Sequence, residues 1–263
     1  MSVAHAGPPD ALHTIVAPNP SPYTLDGTNT YLLGAPPTVV VDPGPDDAGH
    51  VSRVLDAAAA RRGRISLVLV THGHADHAGA APRLAGATGA RVARWGLGQR
   101  PLVDGEIVGN GTVRLRVLHT PGHAPDHVSY LWEAVRTLFS GDLILGRGTV
   151  MVSPPSGSME DYLRSLDRVA ALDLDAIAPG HGPWIDDPRE RTAGYAAHRR
   201  ERERQVLEAL AAGPRTPGEI AAALYPQLDP QLHPAAEGTV LAHLLKLLHE
   251  GRVDREGNRY YTL

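Results

Sequence analysis

The chain of 263 residues contains no cysteine. That excludes a disulfide scaffold, a thiolate zinc site, an iron–sulfur cluster and a cysteine nucleophile together. Lysine is nearly absent too: of 25 basic residues, 24 are arginine and one is Lys246. Against 29 acidic residues this leaves a net charge of −4, without the basic footprint of a dedicated duplex-DNA binder. One phenylalanine and three tryptophans offer few faces for stacking bases. Apolar runs such as residues 65–70 fall far short of the ~18 residues of a membrane span. No Lys or Arg precedes Arg53, so we expect no secretory leader or transit peptide, no membrane partner and a cytoplasmic setting.

What is present points to a folded enzyme-sized chain. Hydrophobic residues make up 42% and charged residues 21%, which argues against wholesale disorder. The length suits one large domain or one domain with a small companion. Histidine is abundant, with fourteen copies, and its positions are grouped.

Residues 1–11 are rich in Pro and Gly and read as loose. Strands are expected at 30–33, 38–41, 65–70, 91–94, 107–108, 113–118, 128–132, 137–140 and 176–178. Several alternate in period 2, and others are short apolar runs closed by turn residues. Helices are expected at 48–61, 78–87 and 159–172, the last with Ser158 as N-cap. Beyond Pro188 the texture changes. Residues 189–212 form a charged helix. Thr216-Pro217-Gly218-Glu219 opens another with a capping box. A third, 234–250, carries Leu241, Leu244, Leu245 and Leu248 on one face. Val253 and residues 260–263 flank Glu256-Gly257-Asn258 as a hairpin. Three helices and a hairpin are the order of a winged-helix unit, and the boundary is expected near residue 195.

The chemistry lies upstream. The strand at 65–70 runs into Thr71-His72-Gly73-His74-Ala75-Asp76-His77. Four imidazole or carboxylate ligands in six residues suit zinc and similar borderline metals. Three further residues follow strands beside glycine: His123 in Thr120-Pro121-Gly122-His123, Asp142 in Ser140-Gly141-Asp142, and His181 in Pro179-Gly180-His181. Glycine lets such strand ends approach a shared centre.

In this order the segments resemble the metallo-β-lactamase superfamily over roughly residues 12–185. The resemblance implies an α/β fold, a four-layer αβ/βα sandwich, followed here by a small winged-helix-like domain: 1–195 catalytic and 196–263 C-terminal. It implies that His72, His74 and His123 hold one metal, that Asp76, His77 and His181 hold a second, and that Asp142 bridges them. Two zinc ions are expected, with iron or manganese an alternative at one position. A metal-bridged hydroxide would attack a carbonyl or phosphoryl centre, with Asp76 as the catalytic residue that orients it. The classical zinc β-lactamases resemble this pattern but do not carry Asp at position 142. Flavodiiron proteins carry Glu at position 74. The large RNA-processing members insert a domain between Asp142 and His181, which here are 39 residues apart.

The segment at 140–149, Gly27-Thr28-Asn29-Thr30-Tyr31-Leu32-Leu33, and the C-terminal unit resemble the β-lactamase-like protein 2 subfamily. Its animal members are single-strand endoribonucleases and its fungal relatives are thioesterases. Arg147 stands where the animal members carry an acidic residue. Asp42 reads as a structural hydrogen-bond partner near the metal loop. His119 and His127 are candidates for supporting a metal-bound histidine, or ordinary polar strand ends. Thr28, Asn29, Tyr31, Arg147, Thr149 and Met151 are substrate or packing candidates. His198, His233, His243 and His249 read as helix-surface residues.

Residues 198–263 carry nine basic and nine acidic side chains. Their third helix lacks the Arg, Asn and Gln of a groove reader, so a packing or dimerisation role is expected and a homodimer is one outcome. The functional expectation is a dinuclear zinc hydrolase acting on a small ester or thioester or on short single-stranded RNA. A glyoxalase II-like thioester hydrolase is one alternative, for which Arg199 and Arg200 are basic residues at hand. A metal-sensing winged-helix regulator is the non-enzymatic alternative.

Overall fold

A computed structural model describes residues 11–96 and 101–263. The segment expected to be loose, 1–11, lies outside the described residues except for Ala11. The chain forms two compact units. The first comprises the described residues up to Thr120, with Asp126–Thr149 and Leu172–Arg191; the second comprises Pro121–Pro125, Val150–Ala171 and Thr192–Leu263.

The first unit is built on two five-stranded sheets. One has β1 (Leu12–Val16), β2 (Asn29–Leu33), β3 (Thr38–Val41), β4 (Ile65–Leu69) and β5 (Arg91–Ala93) in that order. Its first two pairings are antiparallel and its last two parallel. The other is ordered β10 (Ala176–Pro179), β9 (Thr137–Gly141), β8 (Val128–Trp132), β7 (Val113–His119) and β6 (Ile107–Asn110). Only β10 runs parallel to its neighbour. Its parallel pairing follows from the long crossover that separates it from β9.

Period-2 alternation assigns the faces. Leu33, Val39, Val41, Leu67 and Leu69 from the first sheet meet Leu115, Val117, Tyr130 and Phe139 from the second in one core. The intervening Leu32, Val40 and Val68 face the other way, onto α1 (Ala48–Ala60) and α3 (Ala81–Thr88), where Val51, Val54 and Leu84 receive them. The sheet is thus buried on both faces, which is why its strands read as continuous apolar runs. A one-turn helix, α2 (Ala75–Ala78), lies between β4 and α3.

The second unit holds α4 (Met159–Ala170), most of α5 (Pro188–Leu210), α6 (Pro217–Leu224), α7 (His233–His249) and the hairpin β11 (Val253–Glu256) with β12 (Arg259–Thr262). Ser158 caps α4 by accepting from the Asp161 amide at 3.2 Å. The capping box of α6 is complete: Thr216 Oγ1 accepts from Glu219 N, and Glu219 Oε2 accepts from Thr216 N. Val206, Leu210, Ile220, Val240, Leu244, Leu247, Val253 and Tyr260 share one core.

Three expectations about this unit need correction. The buried stripe of α7 runs through Ala236, Val240, His243, Leu244 and Leu247, and Leu245 is exposed. His243 is therefore a core residue rather than a surface one, and His198 is half-buried. Arg199 is likewise buried, 2% exposed, so it is no ready contact for a thioester's anionic tail. It donates to Val150 O and lies over the Tyr162 ring, 5.2 Å from its centroid. In both helices the polar residue occupies a position of the i, i+3, i+4 core stripe. His233 and His249 are exposed. Among the described residues no helix is long and apolar enough to cross a membrane.

Candidate metal centre

The ligands sit where strands end. Strand β4 leads into Thr71 and His72, His74 stands at the N-cap of α2, and α2 itself carries Asp76 and His77. Strand β9 ends on Gly141 and presents Asp142, and β10 ends before Gly180 and His181. The ligand atoms of His72, His77 and Asp142 lie within 4.8 Å of one another, as do those of Asp76, His77 and His181. His77 Nε2 is 3.1 Å from His181 Nε2 and 3.3 Å from Asp142 Oδ1. Asp76 Oδ2 is 3.3 Å from His181 Nε2. His72 Nε2 and His74 Nδ1 are 2.9 Å apart.

Hydrogen bonding on the far side of each ring sets the tautomers. Asp42 Oδ2 accepts from His77 Nδ1 at 2.8 Å. The Gly27 carbonyl accepts from His181 Nδ1 at 3.1 Å. The Thr71 hydroxyl donates to Asp42 Oδ2 at 2.8 Å, so it accepts from His72 Nδ1 at 3.0 Å. Each of these Nδ1 atoms carries its proton outward, and each Nε2 turns toward the cluster. In the second unit, His123 donates from Nδ1 to Met151 O at 2.8 Å and has the same tautomer.

Imidazole nitrogens facing one another beside two carboxylates form a site of high cation affinity. Burial alone would lower the His77 pKa, but Asp142 and Asp42 outweigh it and hold the group well above its ordinary value. Burial opposes the charged form of His181 too, and Asp142 with Asp76 raises it to about 9. Burial would raise Asp142, yet His77 and His181 bring it well below the carboxylate range. The facing nitrogens and carboxylates therefore favour positive charge at this place. The donor set of neutral imidazole and ionised carboxylate fits zinc or a related metal. Ligands at ~2.0–2.1 Å in a tetrahedral shell stand about 3.3 Å apart, close to the spacings above.

The surroundings hold this geometry. Asp42 also accepts from Thr71 N at 2.8 Å, and it is buried. A Cβ on Gly180 would stand 2.7 Å from both Asp142 Oδ1 and His77 Cε1, so only glycine allows β10 to end here. Asn29 Nδ2 donates to Pro179 O and Gly182 O, and Tyr31 OH donates to Pro179 O, so these buried residues back the His181 loop. His127 is buried and accepts from Asp142 N at 3.0 Å. His119 instead stacks on Trp95, with centroids 4.0 Å apart and planes within 5°. Arg147 is exposed and paired with Asp26 at 2.8 Å, and Thr149 is exposed.

Sequence reading passed over Thr71, Arg94 and Arg191. Thr71 links Asp42 to His72, and its place at the head of the ligand run was the available signal. Arg94 pairs with Asp126 at 2.8 Å and lies where a Cβ on Gly73 would be. Arg191 donates to Leu145 O and Gly148 O, bracing the segment after Asp142, with no local sequence signal.

The chain matches the metallo-beta-lactamase superfamily model over residues 23–94 and 91–181, and the beta-lactamase associated winged helix domain over 216–260. A beta-lactamase-like protein 2 homolog of Drosophila melanogaster is 32% identical over 91% of this chain and 88% of its own. An atrochrysone carboxyl ACP thioesterase of Aspergillus fumigatus is 33% identical over 74% of this chain and 64% of its own. The crystal structure of a metallo-beta-lactamase family protein from Thermus thermophilus covers 96% of this chain and 99% of its own, with TM-score 0.83 at 28% identity. Sequence, fold and ligand geometry agree, and the chain belongs to the metallo-β-lactamase superfamily as a hydrolase with the associated C-terminal winged helix domain.

Proposed function

We propose that this protein is a dinuclear zinc hydrolase that cleaves esters or thioesters of small molecules. The observation that carries the reading is the tautomer set: His72, His77 and His181 each donate outward from Nδ1 and turn Nε2 inward beside Asp76 and Asp142. In this reading His72, His74 and His123 hold one ion, Asp76, His77 and His181 hold the other, and Asp142 is shared. Bound zinc supplies Lewis acidity and acidifies water towards neutrality. The chain's own work is to orient and to move protons. Asp76, whose side chain is about a quarter exposed, is the group that accepts the proton of the attacking water. Asp42 and the Gly27 carbonyl keep His77 and His181 from turning.

Charge around the first unit's site favours a small substrate over RNA. Two nearby arginines, Arg94 and Arg147, are paired with Asp126 and Asp26. A polyanion would need several unpaired cations and would bind with a steep salt dependence. The thioesterase name of the Aspergillus fumigatus relative points the same way. The domain boundary near residue 195 and a cytoplasmic setting belong to this proposal. So does a C-terminal unit that packs rather than reads DNA, given its balanced charge.

The test is a hydrolysis panel on zinc-loaded protein: acyl thioesters, lactones, phosphodiesters and short single-stranded RNA. We expect thioester or ester turnover that is lost on chelation and returns with zinc. Turnover of RNA alone, falling steeply with salt, would replace the substrate class. Specific duplex-DNA binding without any hydrolysis would promote the regulator instead.

A further inference from the structure

His127 approaches the shared carboxylate from behind the site. Its ring is fully buried. The Asp142 amide donates to His127 Nε2 at 3.0 Å, so that nitrogen is an acceptor. The ring proton is therefore on Nδ1, which donates to Thr120 Oγ1 at 3.0 Å. Thr120 Oγ1 is in turn 3.0 Å from Ser129 Oγ, and both hydroxyl residues are fully buried. The relay runs from the Asp142 backbone through one rigid ring into strand β8.

Backbone shape supports the contact. Gly141 has φ +50°, and a Cβ there would stand 2.7 Å from His127 Nε2 and 2.8 Å from Thr71 Cβ. The chain is thus bent onto the imidazole at the residue before Asp142. One residue beyond His127, Val128 N donates to Thr71 O at 2.8 Å. The segment 127–128 therefore ties together the end of β9, which carries Asp142, and the end of β4, which carries His72.

We propose that His127 is a positioning residue that aims the Asp142 carboxylate between the two metal positions by fixing the 141–142 peptide. This inference rests on the reading of Asp142 as the shared metal ligand. Only a neutral imidazole presents an acceptor and a donor at opposite ends of one flat ring. Glutamine carries both groups on one amide, so it can accept from Asp142 N but serves Thr120 poorly. Leucine serves neither and leaves the Asp142 amide and the Thr120 hydroxyl facing an apolar chain in a buried site.

The experiment uses the full-length chain as wild type, His127→Leu, His127→Gln and Thr120→Val. Each is stripped, checked by circular dichroism and titrated with cobalt(II) against a chelator, with the visible spectrum recorded. Losing an outer partner of a metal site weakens binding by ~10–100-fold. We expect loosening of that size for the second cobalt equivalent in His127→Leu, with altered visible bands. His127→Gln should recover part of both the affinity and the spectrum. Thr120→Val, which removes only the distal partner, should loosen binding several-fold, and it decides the matter if His127→Leu does not fold. A folded His127→Leu or Thr120→Val protein with wild-type affinity and spectrum would overturn the role of His127. Wild-type protein that takes up no cobalt would instead overturn the metal reading on which the role rests.

Discussion

Asp42 is the residue through which stability and metal affinity are most tightly joined. Its carboxylate accepts from Thr71 N, Thr71 Oγ1 and His77 Nδ1, all at 2.8 Å, and only 2% of the residue is exposed. Asp42→Ala leaves the Thr71 amide and the His77 N–H without acceptors; the Thr71 hydroxyl can rotate. Each buried orphan costs about 1–3 kcal/mol. The φ of +50° adds ~1 kcal/mol once the side chain can no longer bond locally. A loss of about 4 kcal/mol is expected, which at ~2–4 °C per kcal/mol lowers Tm by about 8–16 °C. The His77 ring is also released to rotate, so zinc binding should weaken about 10–100-fold. Asp42→Asn tolerates the backbone and still accepts one bond, so it should lose less stability but much of the metal affinity. Scanning calorimetry on stripped protein and chelator competition for zinc read the two effects separately. Wild-type Tm and zinc affinity in Asp42→Ala would refute this reasoning.

Three further outcomes are expected. Asp76→Ala should retain its fold by circular dichroism and lose most turnover, because Asp76 sits half-buried on the one-turn helix α2 and outside the hydrophobic core; full activity would reject its role with the attacking water. Gly180→Ala should disrupt metal uptake more than solubility, since its Cβ falls 2.7 Å from Asp142 Oδ1; zinc stoichiometry by elemental analysis checks this. The second unit should lose stability in mild acid. Burial, with Arg199 and Arg202 alongside, pushes His198 down to about 4, and burial lowers His243 as well. Unfolded histidine titrates near 6.5, so the unfolded chain binds more protons below that pH. Stability should therefore fall as pH drops from about 6.5 towards 4. Urea midpoints measured at several pH values should show a shallower fall for His243→Leu, and an unchanged slope would contradict the assignment.

The site was more legible than its supports. The run from His72 to His77 after an apolar strand declares itself, because so dense a ligand set has no ordinary use in a turn. Ser158 and Thr216 announced their helices by chemistry that acts within three or four residues. The relay from Asp142 through His127 to Thr120 joins segments that sequence leaves apart, and only the pairing of β7, β8 and β9 brings them together. His243 shows a different limit. Its spacing from Ala236, Val240 and Leu247 was readable as a core position, but residue type argued for the surface. Its ring is buried with Nδ1 3.8 Å from Glu203 Oε2, and among the described residues neither nitrogen makes a hydrogen bond, a placement that composition does not anticipate. The exposed Leu245 on the same helix is the complementary case.

Metal content tests the central claim most directly. Protein expressed with zinc supplementation, purified and analysed by plasma mass spectrometry should carry close to two equivalents of metal per chain. His181→Ala should drop towards one, because the second position then keeps only Asp76, His77 and the shared Asp142. A folded wild-type protein that carries no metal, and binds none on titration with zinc, would contradict the account.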